Sequence, residues 1–410
     1  MIRLIIDIIN KKREKKELTK EELEMAFMGY LKGKIADYQM SALLMAICCN
    51  GMSEQETFDL VDIFIHSGKI LDFSDLHLTL VDKHSTGGVG DKTTLILGPI
   101  LASCKVPMVK ICGRGLGYTG GTIDKLESIP SFQVSLNEEE IKGQLQKIGL
   151  VITSQTKDLV PLDQKIYALR DVTGTTNSIP LIASSIMSKK IVCGADKIIL
   201  DIKIGSGALI KTQEEAKQLS SLMIKIGKKY HKEVKTVFSD MDHPLGRAIG
   251  NKLEVMEAVN VLQGKEEGEL YDLCIELSSQ LISMAKKESL QTAERMAKEA
   301  ITSGRAYQKF KEWIKTQHGK LEELKISAEQ YTIKAPKKGI IKKIDALAVG
   351  KLSLALGAGR KEKNDTIDYN AGVVLVKMIG DAVKEGEVLA FLYTNRDISH
   401  LSFENIFQIE

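Results

Sequence analysis

Between Lys83 and Gly121 the chain carries nine glycines, at 87, 88, 90, 98, 113, 115, 117, 120 and 121, several times the density expected from 33 in 410 residues. They fall in two clusters. One is Lys83-His84-Ser85-Thr86-Gly87-Gly88-Val89-Gly90-Asp91-Lys92-Thr93-Thr94, and the other runs from Lys110 through Gly113-Arg114-Gly115-Leu116-Gly117-Tyr118-Thr119-Gly120-Gly121-Thr122-Ile123-Asp124. Both follow strand-like runs, and Thr93 reads as a helix start. Glycine lets backbone amides approach an anion closely, while hydroxyls and lysines add donors. In an α/β sheet, ligands bind at the carboxyl ends of the strands, where such loops sit. The pair of loops therefore predicts a phosphate site. It is not a Walker A loop, since no GxxxxGK[ST] occurs, and Gly113-x-Gly115-x-Gly117 has the wrong third interval for a dinucleotide fingerprint.

The texture around the loops predicts the architecture. Residues 1–66 read as helical, with apolar residues at helical spacing in Leu4, Ile5, Ile8 and Ile9 and again in Leu23, Phe27, Tyr30 and Leu31. Thr19 with Glu22 and Ser53 with Glu56 form two capping boxes. Beyond them, strand-like runs at 107–112, 151–153 and 197–202 alternate with helical patterns at 137–148 and 213–230, which predicts a parallel core. Residues 163–193 read as helical again and are assigned back to the first domain. After Pro336 come short strands and turns. The expectation is an α/β protein with a separate helical domain (1–66 with 163–193). To this it adds a large α/β domain (67–162 with 194–330) built on a mixed, largely parallel sheet, and a small C-terminal α+β module (331–410).

A second constellation lies in the returning segment, at Tyr167-Ala168-Leu169-Arg170-Asp171 and Ser178 to Lys190. Ser185 and Lys189 are four apart and share a helix face. With Arg170 they read as donors for a polar planar ligand. Composition excludes other partners. Lys+Arg at 57 against Asp+Glu at 54 gives a formal charge of only +3, and aromatics are 5%, so a nucleic-acid surface is not expected. No apolar run is long enough for a membrane span. The apolar start is broken by Asp7 and reads as a helix face. Six cysteines without a CxxC predict neither a disulfide scaffold nor a zinc ribbon, and point to the cytoplasm.

These residues resemble the pyrimidine-nucleoside phosphorylase and thymidine phosphorylase family. The signature is Gly113 to Gly117 followed by Thr119-Gly120-Gly121-Thr122-Ile123-Asp124-Lys125-Leu126-Glu127, and Lys83 to Asp91, Tyr167 to Asp171 and Ser178 to Lys190 match too. The resemblance runs from the first residues to about Arg396 and stops short of the family's usual tail. It implies a homodimer that catalyses reversible phosphorolysis of uridine, thymidine and deoxyuridine to free base and (deoxy)ribose 1-phosphate. Inorganic phosphate would be the co-substrate, with no organic cofactor. By resemblance Lys83, His84, Ser85, Thr94, Lys110, Ile111, Cys112 and Thr122 line the phosphate, and Arg170, Ser185 and Lys189 hold the base. His84, Arg170 and Lys189 are the catalytic set, with His84 as the acid. A monovalent cation, K+, is implied at Gly90, Lys92, Leu245, Ala248 and Glu257. Lys110 ahead of the Gly-Arg-Gly-Leu-Gly run resembles the broad-specificity branch.

The sequence departs from the family pattern at Lys92 (usually Thr), Cys112 (usually Ser), Tyr118 (usually His), Ser154 (usually Gly) and Leu162 (usually Ala). Cys112 is a weaker donor than a hydroxyl. Three other readings stay open. A phosphoribosyltransferase of the anthranilate type would want a paired acidic motif, and Ser239-Asp240-Met241-Asp242 separates its acids. A biotinyl-like carrier would need its lysine well before Gly380, and Lys377 is too close. A catalytically weak relative rests on Lys92, Cys112 and Tyr118.

Overall fold

The computed structural model describes residues 2–115, 117–118, 120–360, 362, 365–403 and 405–410. Leu116 and Thr119 of the glycine-rich signature lie outside the described residues. In chain order the elements begin with α1 (Ile2–Arg13), α2 (Lys20–Leu31), α3 (Asp37–Asn50) and α4 (Glu54–Ile65). There follow β1 (Val81–Ser85), α5 (Thr93–Ser103), β2 (Met108–Cys112), α6 (Thr122–Glu127), α7 (Glu138–Ile148) and β3 (Leu150–Ser154). Next come α8 (Pro161–Thr173), α9 (Ile179–Val192), β4 (Lys197–Ile204), α10 (Gln213–Lys229), β5 (Glu233–Asp240), β6 (Ala248–Ile249) and α11 (Asn251–Leu262). The remainder is α12 (Glu269–Lys286), α13 (Leu290–Thr302), α14 (Arg305–Thr316), β7 (Glu329–Lys334), β8 (Gly339–Ile344), α15 (Ala346–Leu356), β9 (Gly372–Leu375), β10 (Ala382–Val383), β11 (Val388–Thr394) and β12 (Phe407–Ile409).

The chain divides into two compact units, one of Met1–Leu78, Gln155–Ile198 and Gln213–Lys235, the other of Thr79–Ser154, Ile199–Thr212 and Thr236–Glu410. The first unit is helical. Both capping boxes form: Thr19 and Glu22 exchange bonds at 3.3 and 2.8 Å, Ser53 and Glu56 at 3.2 and 2.7 Å. Each satisfies two amides that a helix start leaves orphaned. Glu56 does more, accepting from the buried Lys12 ammonium at 2.7 Å and from the Leu18 amide at 2.8 Å, which ties α1 to α4. The segment read as helical at 163–193 is the pair α8 and α9, divided after Gly174, whose φ of 67° caps α8. Helix 213–229 also belongs to this unit, although the sequence pattern assigned it to the α/β domain. Its buried stripe of Ala216, Leu219, Met223 and Ile226 makes it amphipathic, and it packs on α9.

In the second unit a five-stranded sheet has the order β3-β2-β1-β4-β5, with β2 parallel to both β1 and β3. The expected α/β core is therefore present. α5 is apolar all round, and Leu95, Ile96, Leu97, Ile100 and Leu101 are all buried. A helix without a polar face must be enclosed, and α11, α12, α13 and α14 pack against α5. The C-terminal portion builds two antiparallel sheets, β10-β8-β12 and β6-β9-β11-β7. The two-residue β6 joins the latter from far upstream in sequence, a pairing that no local pattern announces. No described helix is long and apolar enough to cross a membrane.

Candidate active site

The two glycine-rich loops emerge from neighbouring parallel strands, β1 ending at Ser85 and β2 at Cys112. Helices then begin at Thr93 and Thr122. Of the eight residues assigned to phosphate, Lys83, His84 and Ser85 lie on β1, Lys110, Ile111 and Cys112 on β2, Thr94 in the first turn of α5, and Thr122 at the start of α6. All eight belong to the second unit. Gly121 has to be glycine, because a Cβ there would lie 2.2 Å from the Gly115 nitrogen.

Lys83 is fully buried and does not stand alone. Its ammonium donates to Thr93 Oγ1 at 2.6 Å and lies 3.4 Å from Asp91 Oδ2 and 3.3 Å from Asp201 Oδ2. Lys203 adds a second ammonium 2.9 Å from Asp201 Oδ2, and its amide donates to Thr86 Oγ1 at 2.9 Å. Two ammoniums and two carboxylates thus balance beneath the first loop. Burial alone would raise the Asp91 carboxyl. Lys83 and Lys203, with hydrogen bonds from Ser85 and Thr93, instead hold it well below the ordinary carboxylate value. Lys203 is likewise raised, because Asp201 and Asp91 outweigh its burial. Lys110 donates to the Lys83 carbonyl, so the β2 lysine braces β1. Sequence reasoning missed Asp201 and Lys203. Their signal was available: two opposite charges at i and i+2, one face of a strand, inside the apolar run Ile198 to Ile204.

The second loop is held from the C-terminal part of the chain. Asp124 Oδ2 accepts from the Gly115 amide at 2.7 Å, and Arg360 Nη1 donates to Asp124 Oδ1 at 2.8 Å. The Gly117 amide in turn donates to the Arg360 carbonyl at 2.9 Å. Arg360 carried no signal in the sequence, being 236 residues from Asp124.

The residues assigned to the base form a separate cluster in the first unit. Lys189 on α9 donates to Ser185 Oγ at 2.8 Å and to Asp163 Oδ2 at 2.5 Å, so the shared helix face is a direct contact. Arg170 is buried at the end of α8, where Nε donates to the Thr175 carbonyl at 3.0 Å and Nη2 to the Thr176 carbonyl at 2.7 Å. Burial draws its guanidinium below the ordinary value, and Asp163 opposes that shift. Tyr167 presents its ring 6.0 Å from the Lys189 ammonium. Asp163 was missed because it lies 26 residues before its partner.

The five residues assigned to a monovalent cation also converge, but around an ammonium that the chain itself supplies. Lys92 Nζ donates to the Leu245 carbonyl at 2.9 Å, the Ala248 carbonyl at 2.7 Å and Glu257 Oε2 at 2.5 Å. A lysine ammonium has three donors, and all three acceptors are met. The residues present do not fit a separate ion.

Three family models match the chain. A family model described as "Glycosyl transferase family, helical bundle domain" matches residues 6–68, and one described as "Glycosyl transferase family, a/b domain" matches 77–307. A third, "Pyrimidine nucleoside phosphorylase C-terminal domain", matches 340–407. The chain is 48% identical to the pyrimidine-nucleoside phosphorylase of Geobacillus stearothermophilus, with 98% of this chain and 95% of that protein covered. It is 46% identical to the enzymes of that name from Staphylococcus haemolyticus and Bacillus subtilis, with 96% of this chain and 92% of each relative covered. Among solved structures, anthranilate phosphoribosyltransferase from Thermus thermophilus aligns with a TM-score of 0.60 at 16% identity, over 76% of this chain and all of that one. That likeness is one of fold.

Proposed function

Because the chain belongs to the pyrimidine-nucleoside phosphorylase family, we infer that it catalyses the reversible phosphorolysis of pyrimidine nucleosides. It is a pentosyltransferase of the glycosyltransferase type. A phosphate oxygen forms a bond to C1′ of the sugar while the C1′–N1 bond breaks. The electron pair of the broken bond passes to the pyrimidine ring and its oxygens. The products are free base and (deoxy)ribose 1-phosphate. The observation that carries this reading is the pair of loops leaving adjacent parallel strands, with hydroxyls and amides above the Lys83 charge network. The phosphoribosyltransferase alternative gains nothing from its shared fold, since a fold does not fix a substrate.

We assign phosphate to Lys83, His84, Ser85, Thr94, Lys110, Ile111, Cys112 and Thr122, and the base to Arg170, Ser185 and Lys189. Cationic donors aimed at the departing base stabilise the charge that develops on it. His84 delivers the proton that a departing base anion requires, a role that a positioned imidazole can fill. No step is assigned to a monovalent cation. The functional division is taken as a helical domain of 1–66 with 163–193, an α/β domain of 67–162 with 194–330, and a C-terminal module of 331–410. We place the protein in the cytoplasm, a reading supported by its six cysteines, which form no disulfide. A homodimer is proposed as the working form, supported by the exposed apolar side chains Leu4, Ile6 and Met45 on α1 and α3. Sedimentation at micromolar concentration tests that.

The experiment for the activity follows release of uracil from uridine and thymine from thymidine, with and without inorganic phosphate. Release that requires phosphate, with purine nucleosides left intact, supports the reading. Release that does not need phosphate, or no release at all, refutes it.

A further inference from the structure

We propose that the Lys92 ammonium is the protein's own monovalent cation, and that the chain folds and works without K+. The cradle lies wholly in the second unit and is built from backbone first. The Leu245 and Ala248 carbonyls turn toward one point, and Lys92 Nζ fills it at 2.9 and 2.7 Å. Glu257 supplies the charge. Its carboxylate is already fixed by the Arg247 amide on Oε1 at 2.6 Å and by the Ala248 amide on Oε2 at 2.9 Å, so it cannot swing away to release the ammonium. The Lys92 side chain is fully buried and that of Glu257 is 6% exposed.

An ammonium and a potassium ion carry one charge and are of similar size. They differ in what they ask of oxygen. A lysine has three N–H donors and is satisfied by three acceptors, while a free ion must be wrapped by more oxygens and loses its freedom on binding. The tether removes that cost and makes occupancy independent of salt. Gly90 flanks the cradle: its φ of +77° and the 2.6 Å approach of a would-be Cβ to the Leu245 carbonyl keep a side chain out. A second cation on the same carbonyls would sit beside the Lys92 ammonium and be repelled by it.

The position of Lys92 gives the contact a role. It ends the first glycine-rich loop and sits at the N-cap of α5, while its acceptors lie before and on β6 and on α11. The ammonium therefore fastens the loop that presents Ser85 and Thr94 to the 245–257 segment. Lys92 is a positioning residue that acts through this loop. The inference rests on the cradle geometry alone, and a melting measurement tests it whether or not the chain phosphorolyses nucleosides.

Thermal midpoint and kcat/KM are measured in potassium, sodium and choline chlorides at matched ionic strength, so that general screening is held constant. The expected result for the wild-type protein is the same midpoint and the same rate in all three. The variant Lys92→Thr opens the cradle. It should melt lower in choline, recover its midpoint in potassium chloride, and show a raised KM for phosphate that potassium reverses. Lys92→Met fills the space without charge and should not recover in any salt. A wild-type midpoint or kcat/KM that is higher in potassium than in choline at the same ionic strength overturns the proposal. So does a Lys92→Thr protein that melts in choline as the wild type does. If Lys92→Thr fails to fold in every salt, the wild-type series decides.

Discussion

Lys189 Nζ lies 2.5 Å from Asp163 Oδ2, joining the last turn of α9 to the first turn of α8 across 26 residues. The acid sits at a helix start and the base at a helix end, each in the favourable dipole field. Asp163 is almost fully buried while a quarter of the Lys189 side chain remains exposed. The carboxylate thus holds the ammonium from within and leaves its outer side exposed. Lys189→Ala should lower kcat/KM for uridine by about 10²–10³, the cost of one preorganised donor. Asp163→Asn keeps the shape and loses the charge, and should cost about 1.5–3 kcal/mol, or roughly ten- to a hundredfold. Steady-state rates of both variants check this. An Asp163→Asn enzyme at full activity would show that Lys189 holds its place without the carboxylate.

Arg170 is bound through its fork to the carbonyls of Thr175 and Thr176, so it shapes the turn between α8 and α9 in addition to the base contact proposed for it. Two effects of its removal are expected together. Arg170→Ala should drop kcat/KM by about 10²–10³ and also lower the thermal midpoint. Arg170→Lys cannot reproduce a planar fork and should remain well below the wild type. Calorimetry beside the kinetics separates the two effects. Near-wild-type kcat/KM in Arg170→Ala refutes the assignment of the base to this residue.

What the sequence disclosed was the local chemistry. The boxes at Thr19 and Ser53 were legible because cap and partner are three residues apart, and helices 138–148 and 213–229 because their stripes repeat within a few turns. The two loops were legible as a density of glycines. What remained hidden was long-range pairing. Asp201 meets Lys83 across two strands, and Arg360 meets Asp124 from the far end of the chain. A backbone carbonyl carries no residue-type signature, so the cradle at Leu245 and Ala248 was named by resemblance and not from its residues. Helix 213–229 clusters with the first compact unit although its pattern was assigned to the α/β domain, for a related reason: an amphipathic stripe fixes that a helix packs, not what it packs on.

The charge network under the first loop sets a pH dependence. Asp91 titrates well below its ordinary value in the folded chain, chiefly because Lys83 and Lys203 face it. A depressed carboxyl adds stability above the unfolded value of about 3.9 and loses it as pH falls through the folded value. The wild-type protein should therefore lose stability as pH drops below about 4. Asp91→Asn should be less stable at neutral pH and flatter on the acid side. Urea midpoints measured from neutral pH down into that range test it. Parallel acid profiles for the two proteins would mean that Asp91 contributes nothing through its charge.

Cys112 ends β2 opposite Ser154 of β3 and is 8% exposed, on the same strand as Lys110 at the mouth of the second loop. A thiol there donates less strongly to an anion than a hydroxyl would. Cys112→Ser leaves the shape nearly unchanged and supplies the stronger donor. It should tighten phosphate by about 1–2 kcal/mol, up to roughly thirtyfold, with little change in kcat. Burial among packed neighbours is the competing account, since cysteines outside disulfides are often plain core residues. The two accounts separate in the KM for phosphate and in the rate at which a thiol reagent inactivates the enzyme. A phosphate site predicts that saturating phosphate protects Cys112 and that the serine variant lowers KM. An unchanged KM with no protection would mark Cys112 as packing, and the hydroxyls of Ser85, Thr94 and Thr122 would then account for phosphate binding without it.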